Sequence, residues 1–256
     1  MRDSNRRWSA VVAAIVAASA LAACNGTAGT GNGATAGPNV MPQVSQFNGT
    51  SGLRSRSLSP VSIYPGEVWG ADNLFIPGDG DTKTGGQGQK VAGVTCDKTE
   101  HTNSYHIHFF VGVIYKDHAV ALPDAIGMMT PGAENNGYIS TAGCFYWIHT
   151  HDASGMMHIE DPRSYPPTDV LYRFSTALSI WGQTYSANNF GRLTGPVHVF
   201  IGNVSKAGQT TVSKYTAYTG SLGSIPLRTH EVIWVEVSTP YFTATQLPAV
   251  TFYTEY

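Results

Sequence analysis

The sequence holds 256 residues, with 15 Lys and Arg against 17 Asp and Glu, and only three cysteines. A balance this close to neutral argues against nucleic acid as a partner, which would want a basic stripe. No region of charge or composition marks a second folded unit, so the bulk of the chain is expected to build one core.

The first element is a leader. Arg2, Arg6 and Arg7 precede an apolar run from Ala10 to Ala23 that is too short to span a bilayer comfortably, which is the pattern of an export signal over 1–23. It ends in Leu21-Ala22-Ala23-Cys24, which resembles the lipobox of bacterial lipoproteins. That resemblance implies cleavage before Cys24, lipidation of Cys24 and attachment to a membrane surface by acyl chains. Asn25 stands where lipoproteins kept in an inner membrane often carry Asp, which tilts the destination toward the outer membrane in a cell that has two. Loss of the leader keeps 12 of the 15 basic and 16 of the 17 acidic residues, so the exported chain is mildly acidic and its lipid is the main membrane contact. Nothing later in the chain offers a transmembrane helix, and no protein partner can be named.

From Cys24 to about Pro60 the chain is Gly, Ala, Thr, Asn and Ser with no acidic residue, a composition that cannot offset its own ordering entropy and is expected to act as a tether. A single β-rich domain is expected over 61–256. The segment at 78–89 reads as a loop; its two aspartates suggest calcium, but Lys83 sits where another oxygen ligand would be needed.

Strands follow. YHIHFFVGVIY (105–115) turns at Lys116-Asp117 into HAVALP, and CFYWIHTH (144–151) turns at 152–155 into MMHIE. The one helix is expected from an N-cap at Thr168, with Val170, Leu171, Phe174, Ala177, Leu178 and Trp181 on one stripe and Gly182 as its stop. Three more strands are expected at 196–202, 211–220 and 229–239. The order predicts an α+β fold, a mostly antiparallel sheet with one packed helix, possible as a β-grasp-like arrangement; a β-sandwich with a connecting helix is the alternative.

The chemistry concentrates in the histidines. Alternation along a strand puts His106 and His108 on one face, and likewise His149 and His151. A four-residue turn at 152–155 pairs His151 with Met156 and therefore His149 with His158, and directly opposed residues have Cβ atoms about 4.5–5.5 Å apart. If the strand carrying His106 and His108 lies alongside, five of the nine histidines line one patch, with Met156 and Glu160 on the same face. Paired histidines on a half-buried strand are often only hydrogen-bonded core residues. Five together would each need a partner in low dielectric, and protonating them brings repulsion, so a metal is favoured.

Neutral imidazole suits several transition metals; an exported chain with a nearby thioether, Met156, points to copper, with zinc close behind. Met128 and Met129 could add soft ligands. His101, His118, His198 and His230 fall outside the pattern. Cys96 and Cys144 are expected to form a disulfide in an oxidising compartment, and Cys144 faces away from His149 if the strand is regular.

The string His106-x-His108, then Cys144-Phe-Tyr-Trp-Ile-His149-Thr-His151-Asp152-x-Ser-Gly-x-x-His158-Ile-Glu160, then Trp181-Gly-Gln, resembles an uncharacterised family of exported bacterial proteins over about 85–230. The resemblance implies that these residues form one unit, and implies no reaction. Its expected Asn-Gly turn is Lys116-Asp117 here. His149-Thr-His151-Asp152 also resembles fragments of the metallo-β-lactamase and amidohydrolase motifs, but the first lacks its downstream Asp-His pair, and the 105 residues after His151 leave no room for the barrel of the second.

Three functions are therefore open: a lipid-anchored envelope protein that binds copper or zinc; a structural or assembly lipoprotein without metal; and a histidine-ligated metalloenzyme in which Asp152 or Glu160 serves as acid or base.

Overall fold

The computed structural model describes residues 58–71, 85–130, 132–163 and 172–253. The expected leader, Cys24, nearly all of the tether and most of the 78–89 loop lie outside the described residues. Among the described residues no helix is long and apolar enough to cross a membrane.

In chain order the first strands are β1 (Val61–Ile63), β2 (Cys96–Asp97), β3 (Tyr105–Tyr115), β4 (His118–Val120), β5 (Met128–Met129), β6 (Ala133–Asn135), β7 (Tyr138–Thr141), β8 (Cys144–Tyr146), β9 (Ile148–His149) and β10 (Met156–Asp161). Helix α1 (Phe174–Trp181) follows, then three two-residue strands, β11 (Tyr185–Ser186), β12 (Asn189–Phe190) and β13 (Leu193–Thr194). The chain closes with β14 (Val197–Gly202), β15 (Thr211–Val212), β16 (Thr216–Ala217), β17 (Val232–Val237) and β18 (Val250–Phe252).

The architecture is mostly β, with several sheets and one helix. The largest sheet runs β16-β14-β17-β3-β10-β9, with β4 also on β3, and its ladders are antiparallel except for β3 with β17. A smaller sheet, β1-β18-β15, contains the parallel pair β1 and β18.

Alternation along β3 explains the layering. Ile107, Phe109, Val111 and Val113 point to one side, where they share a core with Phe174, Leu178 and Trp181 of α1. Phe110 and Ile114 point to the other, where with Met156 and Trp234 they pack against Val61, Val212, Val250 and Phe252 of the small sheet. Position 112 falls on that second side and is glycine because Trp234 leaves no room for a side chain: a Cβ there would sit 2.1 Å from the indole ring. Tyr115 pairs with His118 across a two-residue turn in which Lys116 (φ 49°) and Asp117 (φ 69°) both take the left-handed conformation that Asn-Gly turns supply.

The helix is shorter than the periodicity suggests. It begins at Phe174 rather than after an N-cap at Thr168, because the backbone just before it is already paired: Leu227 N–H donates to Tyr172 O at 2.7 Å and Phe174 N–H to Ile225 O at 2.9 Å. Thr168, Val170 and Leu171 lie outside the described residues. Gly182 (φ 76°) ends the helix in the left-handed conformation. The expected strand at 211–220 is two short strands in different sheets.

Cys96 and Cys144 are joined by a disulfide between β2 and β8, Cα atoms 5.4 Å apart and 48 positions apart in sequence. Closing a loop of that length contributes about 4 kcal/mol by chain-entropy arguments.

Candidate metal centre

Strands β9, β10 and β3 lie side by side, and their register sets three histidines in a row: His149 opposes His158, and His158 opposes His108. One step along, Glu160 opposes His106. The opposite face at these positions carries Ile107, Ile148 and Ile159, which belong to the helix-side core. Burial of those isoleucines fixes the register, since a one-residue slip would put the imidazoles into the core.

His151 reaches the cluster differently from the sequence expectation. Strand β9 ends at His149, so its ladder with β10 stops at the His149–His158 pair and does not extend to the expected pair of His151 with Met156. The ring of His151 stacks on Tyr138, centroids 4.6 Å apart, and turns back so that its Nε2 is 3.1 Å from Nε2 of His149.

That contact has a defined proton count. Nδ1 of His149 lies 2.8 Å from Tyr146 O, and Nδ1 of His151 lies 2.6 Å from Ile139 O. A carbonyl only accepts, so both Nδ1 atoms carry the hydrogen and both Nε2 atoms present a lone pair. Two lone pairs 3.1 Å apart make no hydrogen bond with each other, and a cation between them would relieve their repulsion. Ligand nitrogens on a tetrahedral zinc, bonded at about 2.0–2.1 Å, stand about 3.3 Å apart. Donation from the second ring nitrogen to a carbonyl is also how metal-bound histidines are oriented.

Carboxylates complete the cluster. One ligand atom from each of His149, His151, His158 and Glu160 lies within 4.8 Å of every other, all four residues being buried, and the ligand atoms of His106, His108 and His158 are equally close, with His106 half-buried. Glu160 Oε1 is 3.3 Å from His106 Nε2 and 3.7 Å from His158 Nδ1. His108 Nε2 and His158 Nδ1 are 3.1 Å apart. Glu100, which the sequence pattern did not single out, brings Oε1 to 3.8 Å from His151 Nε2. Its loop is tied down beside the site: His101 N–H donates to Glu160 Oε2 at 3.2 Å, while Asp97 Oδ2 is 2.8 Å from His101 Nε2 and accepts from Trp147 Nε1 at 2.7 Å.

The remaining candidates fall elsewhere. Asp152 is consumed by the turn, accepting from Ser154 N–H, Ser154 Oγ and Gly66 N–H, and belongs to neither group of clustered ligand atoms. Met156 packs in the apolar layer with Phe110 and Trp234. His118 is exposed beside Asp117, His198 stacks on Tyr241 with centroids 3.8 Å apart, and the ring of His230 lies against Phe252.

Electrostatics follow from burial. Desolvation first, and the neighbouring imidazoles second, hold His149 and His158 well below the ordinary histidine value. Desolvation also lowers His151 and His106. The same burial, with Glu100 adding repulsion, pushes Glu160 up to about 7.

In metal-free protein these shifts have opposite signs. The four lowered histidines refuse protons that the unfolded chain accepts, so stability is lost as pH falls through about 6.5. Glu160 keeps in the fold a proton that the unfolded chain releases near 4.5, so its contribution is lost as pH rises toward about 7. Burial raises Glu100 as well, but the four lowered rings outnumber the two raised carboxyls of the cluster, and the melting temperature of chelator-treated protein is expected to drop between pH 7 and pH 5. A flat or rising profile over that window would contradict the assignment.

The fold and site together define a β-rich protein with a buried histidine and glutamate cluster that could hold a metal ion. Comparison with protein families, with curated proteins and with solved structures finds no match.

Proposed function

We propose that this protein binds a transition metal, zinc or copper, through the buried cluster, and does so at the cell envelope on a lipid carried by Cys24. The observation that supports metal binding is the 3.1 Å approach of two Nε2 lone pairs whose rings are both held by backbone carbonyls. A buried site without a cation would leave that approach repulsive. The donors are imidazole and carboxylate, while Met156 packs among apolar side chains, a combination that suits zinc or copper(II) better than copper(I).

The test uses the full chain, purified without a polyhistidine tag. At least one zinc or copper ion per chain is expected to survive gel filtration, and to be lost in His149→Ala/His158→Ala that keeps the wild-type circular dichroism. Wild-type protein that retains no metal after loading would end the proposal. The anchor rests on the arginines of the leader and on Leu21 to Cys24; labelled palmitate is expected in the wild type and absent from Cys24→Ser, and equal labelling of both would remove it.

One observation favours a catalytic extension. Glu160 Oε1 lies 3.3 Å from His106 Nε2 and 3.7 Å from His158 Nδ1, so with the ion held by the imidazoles alone its carboxyl would stand beside the ion as a general acid or base. Asp152, the other candidate for that role, is committed to its turn.

A further inference from the structure

The cluster offers more ligands than one ion can use. A tetrahedral ion takes four, with ligand atoms all within about 2.0–2.2 Å of it. Five histidines and Glu160 converge here as two groups of mutually close atoms, and Glu100 Oε1 lies beside the first group, 3.8 Å from His151 Nε2. The groups follow the strands: His149 and His151 lie on the β9 side, His106 and His108 on β3, with β10 between them. Adjacent strands are about 4.8 Å apart, so the outer backbones are separated by roughly twice that.

A single ion on the β9 side would leave His106 outside the coordination, while His108 is met by His158 Nδ1 at 3.1 Å. His106 Nε2 is buried and makes no hydrogen bond among the described residues, and the same is true of Glu100 Oε1 at the other end of the cluster. Each aims at a different part of the cluster, His106 at Glu160 and Glu100 at His151.

We propose that the cluster holds a pair of divalent transition-metal ions, one on His149 and His151 with Glu100, the other on His106 and His108, with His158 and the carboxylate of Glu160 between them. The inference rests on the metal-binding reading above and extends it. Glu160 belongs to the first group and also lies 3.3 Å from His106 Nε2, so its carboxylate faces both positions. Paired ions sharing such a bridge stand about 3.5–4 Å apart. Glu100 and Glu160 offset two of the four positive charges, and a hydroxide left between the ions when a bound water releases one proton to solvent offsets a third.

Zinc alone is the probe. The full-length untagged chain is loaded with excess Zn²⁺, gel-filtered, and examined by native mass spectrometry and X-ray absorption. Two ions per chain and a metal-to-metal distance of about 3.5–4 Å are expected. His106→Gln/His108→Gln is expected to hold one ion and to lose that distance. One ion in the wild type would overturn the pair and leave the single-ion reading standing; none would overturn both. Two ions that persist in the variant, or that lack the short distance, would place the second ion elsewhere and overturn the inference. The wild-type measurement decides the outcome even if the variant fails to fold.

Discussion

Replacing His158 with alanine is expected to abolish stabilisation by metal. His158 is the residue common to both groups of clustered ligand atoms, and it opposes His149 on one side and His108 on the other. An ion present at 100 times its dissociation constant stabilises a folded protein by about 2.7 kcal/mol. In a chain of this size that corresponds to a rise of about 5–10 °C in melting temperature. The wild type should show that difference between zinc-loaded and chelator-treated samples, and His158→Ala should show none. Because each protein is compared with itself, the cost of removing a buried side chain cancels. An equal metal-induced rise in both proteins would show that His158 is no ligand.

The second large effect is expected at Gly112→Ala. The added methyl would sit 2.1 and 2.3 Å from two ring carbons of Trp234 and 2.8 Å from Phe110. The indole has nowhere to retreat: it is fully buried, with Trp69, Phe110 and Tyr215 around it at centroid distances of 5.1, 5.3 and 6.1 Å. The variant is expected to lose about 3 kcal/mol in denaturant titration, at the upper end for overpacking. Gly112→Ala/Trp234→Leu should recover part of the loss, since the clash would then be relieved. A single variant as stable as the wild type would mean that β3 and β17 are not packed as described.

The parts of the site that were legible in the sequence are those governed by short-range rules. The turn at 152–155 fixes His149 opposite His158 by counting residues, and alternation puts His106 and His108 on one face. The rest depended on contacts far apart in sequence. Glu100 lies in a loop with no periodicity, and only the fold brings it to His151. The turn-back of His151 needs Tyr138 and the carbonyl of Ile139, neither of which its own strand reveals. The helix stripe reads as starting at Thr168 because amphipathic spacing says nothing of the 225–227 segment that claims Tyr172 and Phe174 for a ladder. Parallel pairing of β3 with β17, separated by more than a hundred residues, has no local signal at all.

The disulfide has a consequence for how the protein matures. One of its sulfurs lies at the start of the segment that carries Asp97, Glu100 and His101 to the cluster, and the other opens β8, which leads through Trp147 into β9 and His149. While both are thiols, their ionised forms are soft, strong ligands able to capture incoming zinc or copper outside the imidazole row. For the metal binding proposed above, oxidation would therefore withdraw two thiolate competitors for the ion, and it ties the start of the 97–101 loop to the start of β8.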